Sequence, residues 1–482
     1  MASVLQELEP KEVWRHFEAI TKIPRASGNE AAARQYVLGL AAKHGLETQQ
    51  DAVGNVVVRK PARPGRENAP ITLLQGHLDM VCEKNEGTAF DFSKDAIKVW
   101  RDGEWLRAEG TTLGADNGIG VASALAVMES TDISHGPLEL VFTIDEETGL
   151  TGAAQFGPGM LKAKYFLNLD NEEIGTLCIG CSGGVNTTAR RAVTYKAAGS
   201  GTPFRIKVSG LKGGHSGVDI HLGRGNALRV LGNTLQRIIE KVPIEVADVK
   251  GGSARNVIPR EATAVVLVQS ANEKQVRDIV AEVASETKTD FGNFDPGVQI
   301  TVESIERPAQ VLQAEDAKRI ADLLATLPHG VIAMSPDIPG LVQTSTNLAV
   351  IALKDGKVEV GTSQRSAIEG SKQGARRMVE TAFRLAGFEA DHDTGYPGWK
   401  PEPESEIVRT LKEVHTKTFG KEPKLIAMHA GLECGVIGEK YPGMQMISFG
   451  PQIESPHSPN ERVQIQSVAD FWKFLKATLE RL

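Results

Sequence analysis

The sequence predicts an α/β protein, a doubly wound mixed sheet interrupted by an inserted α+β domain. Three observations point there. Continuous apolar runs of strand length occur at Ile71-Thr72-Leu73-Leu74-Gln75, Leu138 to Ile144 and Tyr165 to Leu169. They alternate with helical stretches, and a run apolar on both faces suits a strand covered by helices on both sides. Beyond Gly184 the texture changes to more nearly alternating strands, Thr202 to Val208 and Ala262 to Val268, which suit antiparallel pairs with helices on one face. After Gly387 sheet-like runs return at Lys424 to Met428 and Met444 to Gly450. A chain of 482 residues is too long for one ordinary core. We therefore expect one discontinuous domain over residues 1–186 and 388–482, and an inserted domain over 187–387.

The elements follow in order. Residues 11–45 read as helical, with Val13, Phe17 and Ile20 on one face and a second apolar series from Ala31 through Tyr36 and Leu40. Val53 to Val58 is a short strand, and Pro61 to Pro70 a polar loop. Asn117 to Met128 is a helix of small residues. In the insert, Asn347 to Ser363 reads as a strand pair turning at Lys354-Asp355-Gly356-Lys357.

Composition excludes several classes. The apolar fraction of 41% and charged fraction of 24% are those of a globular protein with a large core. A formal charge of −7 argues against nucleic acid or an anionic membrane as the main partner. Four cysteines in this length do not make a disulfide scaffold, so a reduced, cytoplasmic chain is expected. The start, Met1 to Pro10, lacks the basic and apolar regions of a leader, and no apolar stretch reaches membrane-span length.

Three clusters at the ends of short apolar runs carry the chemistry: His77-Leu78-Asp79, Gly114-Ala115-Asp116-Asn117-Gly118 and Asp145-Glu146-Glu147. Asp170 and His457 join them. Carboxylates and imidazoles are the ligands of a hydrolytic two-metal site, and strand ends are where an open α/β sheet places ligands. His77 offers a ring nitrogen, and Asp79 is spaced to accept from the other one. The two oxygens of Asp116 suit a bridge between ions. Of the adjacent Glu146 and Glu147, one can bind metal while the other moves a proton. Each cluster alone has a plainer reading: a strand-end histidine, a turn, a solvated acidic loop. Gly114 to Gly120 is no phosphate loop, since no Lys follows and the spacing fits neither nucleotide fingerprint. Cys178-Ile179-Gly180-Cys181 lacks a second pair and reads as a buried, reduced structural element.

With these residues the chain resembles the co-catalytic zinc aminopeptidase/carboxypeptidase clan, and within it the bacterial aminoacyl-histidine (Xaa-His) dipeptidase family. The resemblance runs over nearly the whole length. It is most specific at Gln75 to Val81, Gly110 to Gly120, Gly210 to Gly217, Arg255 to Arg260 and His429 to Gly435. It implies two Zn2+ per chain, with Co2+ or Mn2+ able to substitute. His77 and Asp170 would hold one ion, Glu147 and His457 the other, with Asp116 bridging and the Asp116–Asn117 peptide cis. Asp79 would orient His77, and Glu146 would serve as general base. His215 of the insert would stabilise the oxyanion, and Asn256 and Arg365 would bind substrate, an Arg fork suiting a terminal carboxylate. Glu433 would support the site from behind. Asp145 departs from the residue common in close relatives and adds a negative charge. The implied activity is hydrolysis of dipeptides, β-alanyl-histidine among them. The insert would then be a lid, closing about hinges near Gly183-Gly184 and Gly387, with a homodimer possible but not needed to complete the site. Deacylation of N-acyl amino acids and a non-catalytic binding role on the same fold are the alternatives.

Overall fold

The structure, a computed structural model, describes residues 4–482; Met1 to Ser3, part of the Met1 to Pro10 stretch in which no leader is expected, lie outside the described residues. Two compact units emerge. The first comprises the chain up to Cys181, Trp399–Ala427 and Leu432–Leu482; the second comprises Ser182–Gly398 and Met428–Gly431.

The first unit is built on an eight-stranded mixed sheet in the order Glu47–Gln50, Val56–Lys60, Leu138–Thr143, Thr72–His77, Tyr165–Asn168, Gln445–Ser448, Thr176–Cys181, Lys424–Met428. Its central strands Leu138–Thr143, Thr72–His77 and Tyr165–Asn168 are buried along their whole length, as their continuous apolar runs require. They run parallel, with His77 opposite Thr143 and Gln75 opposite Asn168. Their carboxyl ends are therefore level. The loop that follows Thr143 carries Glu146 and Glu147, and Asp170 lies two residues beyond Asn168.

The helix Ala115–Glu129 is buried almost throughout and packs on Thr72–His77 and on the helix Lys11–Thr21. Its small residues permit that approach: a Cβ on Gly120 would fall 2.4 Å from the Leu169 carbonyl oxygen. A second sheet of four strands, in the order Ile453–Glu454, Arg462–Gln464, Trp105–Ala108, Val99–Asp102, holds the loop with His457. The span 11–45 is not one helix. Pro24 and Gly28 fall inside it, and the chain forms Lys11–Thr21 and Ala31–Lys43 with a non-helical link between them.

The second unit carries a nine-stranded antiparallel sheet. Val342–Lys354 and Lys357–Ser366 pair as the expected hairpin, closed through Lys354 opposite Lys357. Four helices of this unit, Ala227–Lys241, Glu273–Phe291, Ala314–Thr326 and Glu369–Leu385, supply amphipathic faces. Asn226 caps the first, its side chain accepting from Leu228 N and Arg229 N.

The expected domain boundaries need correction. Residues 182–186 belong to the insert, whose strand Gly183–Ala192 begins there, and not to the first unit. Residues 388–398 belong to the insert, because Glu389–His392 pairs with Gly183–Ala192 and extends its sheet. Gly387 follows the helix Glu369–Leu385 inside that unit, so the chain returns to the first unit at Trp399 instead. Met428–Gly431 also groups with the insert, although its neighbours on both sides do not.

Candidate metal centre

The level strand ends bring five ligand-type residues together in two groups that share one member. His77 Nε2 lies 3.2 Å from Asp116 Oδ1 and 3.3 Å from Asp170 Oδ1. His457 Nε2 lies 3.1 Å from Asp116 Oδ2 and 3.0 Å from Glu147 Oε2. A single ring N–H cannot serve two carboxylates well. Two oxygens and a nitrogen converging on one point, twice over, suit a pair of cations. Asp116 presents one oxygen to each group. The Asp116–Asn117 peptide is cis, as the resemblance implies.

Electrostatics test whether cations fit. Burial pushes the Glu172 carboxyl up to about 8, with Asp116 and Asp170 adding to the rise. Burial likewise raises Asp170 to about 6, against the opposing pull of His77. Hydrogen bonds to Asp116 and Glu147 lift His457 to about 11. Burial opposes charge on His77, yet Asp170 and the neighbouring carboxylates raise its pKa well above the ordinary value. Burial opposes ionisation of Asp116 too, but hydrogen bonds from His457 and His77 hold its carboxyl below the usual range. The upward shifts of Glu172, Asp170, His77 and His457 report, beside burial, a local surplus of negative charge that bound cations would neutralise. Glu147 Oε1 is also buried with no hydrogen-bond partner. The residues fit a two-metal centre.

Asp79 organises the surroundings. Its Oδ1 lies 3.4 Å from His77 Nδ1. Its two oxygens accept from Glu146 N and Glu147 N at 3.1 Å each, and Oδ2 accepts from Ser27 Oγ at 2.8 Å. One carboxylate thus sets the His77 ring and the backbone of the glutamate pair. Burial works against its ionisation, but the bonds from His77 and the Glu146 amide hold it below the usual carboxylate range. Burial drives the Glu146 carboxyl well above its ordinary value; His77 opposes this, and Asp170, Glu433 and Glu147 reinforce it. The extra charge of Asp145 is tied into its own turn, where Oδ1 accepts from Thr148 Oγ1. Behind the strand ends, Glu433 accepts from Gln75 Nε2 and from Thr143 Oγ1, and burial raises it to about 8.

Sequence reasoning missed the residues that brace these loops. Arg25 Nη1 donates to the Leu78 and Asp79 carbonyls at 3.0 and 2.7 Å, and Nη2 donates to the Gly114 carbonyl at 2.5 Å. Glu30 Oε1 accepts from Gly28 N and Asp145 N. Glu461 Oε2 accepts from Leu113 N and Gly114 N, while Oε1 accepts from Ala115 N and Asp116 N. The break at Pro24 and Gly28 was the available sign for Arg25 and Glu30. For Glu461 none existed, since its partners lie about 350 residues away in sequence.

Within the second unit, His215, Asn256 and Arg365 share one corner. Gly214 and His215 pair with Ile258 and Val257, and Ser216 N donates to the Asn256 carbonyl at 2.8 Å. Arg365 Nε lies 3.4 Å from Ser216 Oγ, and Nη1 donates to Tyr396 Oη at 2.7 Å. His215 Nδ1 accepts from Gly217 N and Val218 N, which puts the proton of the neutral ring on Nε2. Burial, then Arg365, lowers its pKa to about 4, Asp219 opposing, so the ring is a neutral donor. A Cβ on Gly217 would lie 2.0 Å from the His429 carbonyl oxygen. His429 itself joins this corner, its Nε2 2.7 Å from Ser345 Oγ. Arg255 is structural, bonding Thr187 O and Thr188 Oγ1. Cys178 and Cys181 are buried thiols of one strand.

Comparison with known proteins agrees with this chemistry. The profile described as Peptidase family M20/M25/M40 matches residues 73–481. The chain belongs to peptidase family M20/M25/M40. It is a metallopeptidase of α/β fold. The cytosol non-specific dipeptidase of Escherichia coli (strain K12) is 38% identical to this M20 chain over 481 residues, 100% of this chain and 99% of the relative. The crystal structure of aminoacylhistidine dipeptidase from Vibrio alginolyticus superposes with a TM-score of 0.91 at 40% identity, covering 99% of this chain and 98% of that one. Aminopeptidase PepT from Bacillus cereus shares the fold, with a TM-score of 0.56 at 16% identity over 98% of this chain and 99% of that one. Among the described residues no helix is long and apolar enough to cross a membrane.

Proposed function

We propose that this M20 peptidase hydrolyses dipeptides, with Xaa-His peptides, β-alanyl-histidine included, among its substrates. The carrying observation is the double convergence on Asp116: His77 with Asp170 on Oδ1, His457 with Glu147 on Oδ2. The names of the two relatives that cover the whole chain, one a non-specific dipeptidase and one an aminoacylhistidine dipeptidase, support a dipeptide substrate with tolerance at the first residue.

In this reading His77 and Asp170 would hold one Zn2+, His457 and Glu147 would hold the other, and Asp116 would contribute an oxygen to each. Bound there, the ions would polarise the scissile carbonyl and acidify the attacking water. Glu146 takes the water proton and returns it to the leaving amine, a role that suits a carboxyl whose affinity for a proton burial raises above the ordinary range. Asp79 keeps the His77 ring aimed and the Glu146 backbone fixed. His215 donates a hydrogen bond from its Nε2–H to the oxyanion and keeps the proton. Arg365, with Asn256 near it, takes the substrate's terminal carboxylate, which restricts substrates to short peptides. We further propose a cytoplasmic enzyme in which a homodimer, where formed, is not needed to complete the site.

The test is a panel of β-alanyl-histidine, other dipeptides, a tripeptide and an N-acetyl amino acid, assayed on metal-stripped enzyme with zinc, cobalt or manganese restored. Turnover of dipeptides alone supports the proposal. Turnover of the N-acetyl amino acid alone would replace it with deacylation, and no turnover of any would leave a binding protein.

A further inference from the structure

The candidate metal ligands of the first unit sit on five segments, and those of His77, Asp116 and His457 come from distant parts of the sequence. Their spacing depends on what ties them to one another. Two buried charged side chains do this, and neither belongs to the ligand set or to the proposed substrate contacts.

Glu461 stands four residues beyond His457 and is 2% exposed. Its carboxylate takes four consecutive backbone N–H groups, those of Leu113, Gly114, Ala115 and Asp116, at 2.7 to 3.2 Å. Both oxygens are used, two donors each. The His457 loop is thereby fastened to the loop that presents Asp116. Arg25 is also 2% exposed. Its fork spans the Leu78 and Asp79 carbonyls on one side and the Gly114 carbonyl on the other. It fastens the Asp116 loop to the end of the His77 strand. A buried carboxylate on a row of amides and a buried guanidinium on three carbonyls are charge-assisted contacts, stronger than neutral ones and costly to leave half made.

We infer that Glu461 and Arg25 are positioning residues that lock the His77, Asp116 and His457 loops into one frame, setting the spacing of the ligand groups before any ion binds. The inference rests on the metal-centre reading proposed above. It makes metal affinity, more than global stability, the property these two residues control.

The experiment compares wild type, Glu461→Gln, Arg25→Lys and a control, Leu411→Ala, a buried residue of the helix Glu406–Phe419. Glutamine keeps one acceptor oxygen and turns an NH2 toward two of the four amides. Lysine keeps the charge but loses the planar fork. Three quantities are read on metal-free protein: thermal midpoint, hydrogen exchange of the amides at 113–116, and zinc affinity by competition with a chromophoric chelator. We expect both variants to lose zinc affinity by about tenfold or more, the scale seen when groups behind metal ligands are removed. Glu461→Gln should also lose amide protection at 113–116. The control should lose thermal midpoint and keep its zinc affinity. Wild-type affinity in both variants would overturn the inference. So would an equal loss of affinity in the control at equal thermal cost. If Glu461→Gln does not fold, the Arg25→Lys affinity decides. If wild type itself takes up no zinc, the metal reading fails separately. Exchange then decides alone: lost protection supports the anchoring, and unchanged protection overturns it.

Discussion

The Asp79 carboxylate lies 3.4 Å from Nδ1 of His77, while Nε2 of the same ring faces Asp116 and Asp170. The ring is thus held between a carboxylate that orients it and the group it would join in binding metal. The same Asp79 receives the amides of Glu146 and Glu147, so ligand direction and the position of the proposed base share one anchor. Asp79→Asn keeps the shape, removes the charge and turns an NH2 toward one of those donors. It should lower metal affinity by about 10- to 100-fold. Chelator competition checks this, and an unchanged affinity would sink the orienting role.

Glu146→Ala should behave differently. Glu146 neighbours the ligand set without completing either three-residue convergence on Asp116. Removing a general base should cost kcat more than about 10²-fold while two metal ions stay bound. Metal analysis beside steady-state kinetics separates the cases. Near-normal kcat would remove Glu146 from the mechanism.

The two convergent groups should also separate. His77→Ala or Asp170→Ala should weaken one ion, and His457→Ala the other, each with loss of activity, because each removes a direct ligand. Asp116→Ala should weaken both. Stoichiometry by elemental analysis after dialysis is the measurement. Two tightly held ions in every variant would refute the assignment.

Much of this was legible in the sequence, for a physical reason. The ligand residues follow short apolar runs, and apolar runs of strand length form the buried strands whose ends place them. His77, Asp170 and the Glu146-Glu147 pair could therefore be placed at strand ends from the apolar runs, while the choice of Glu147 as the ligand came only from the resemblance. The doubly covered strands Thr72–His77 and Leu138–Thr143 and the hairpin ending at Lys354 and Lys357 were readable in the same way. The return of the chain was not. Glu389–His392 is exposed or half-buried at every position, so it carries no apolar signal that could assign it to a sheet. Arg25 and Glu461 escaped because their partners are backbone groups remote in sequence, and a backbone N–H looks the same beneath every side chain.

The second unit offers a pH test at a residue outside the candidate ligand set. Burial, then Arg229, lowers the His329 pKa from 6.5 to about 4, and its Nδ1 lies 3.3 Å from Asn226 Nδ2. The unfolded chain binds a proton below about pH 6.5 that the folded chain refuses until about pH 4. The contribution is therefore complete above about pH 6.5, is lost as pH falls through that window, and levels off near pH 4. His329→Gln has no such proton to exclude. Between about pH 6.5 and pH 5 it should lose less stability than wild type, by an amount on the order of 2 kcal/mol. Urea midpoints at the two pH values measure it, and identical pH slopes would refute it.

His215 carries the last prediction. Its Nδ1 is occupied by the amides of Gly217 and Val218, and burial keeps the ring neutral, so Nε2 is a fixed N–H donor. A preorganised neutral donor keeps its proton and stabilises the oxyanion by hydrogen bonding. His215→Ala should lower kcat by about 10²- to 10³-fold with little change in metal affinity, the usual consequence of removing one oxyanion donor. His215→Gln can present an N–H near the Nε2 position and should recover part of that loss. His215→Asn, whose amide reaches only as far as Nδ1, should recover none. The ordering of the three variants separates a donor role from a merely structural one, which would follow thermal midpoint instead. Equal kcat in the Ala and Gln variants, with matched folding, would remove His215 from the oxyanion role.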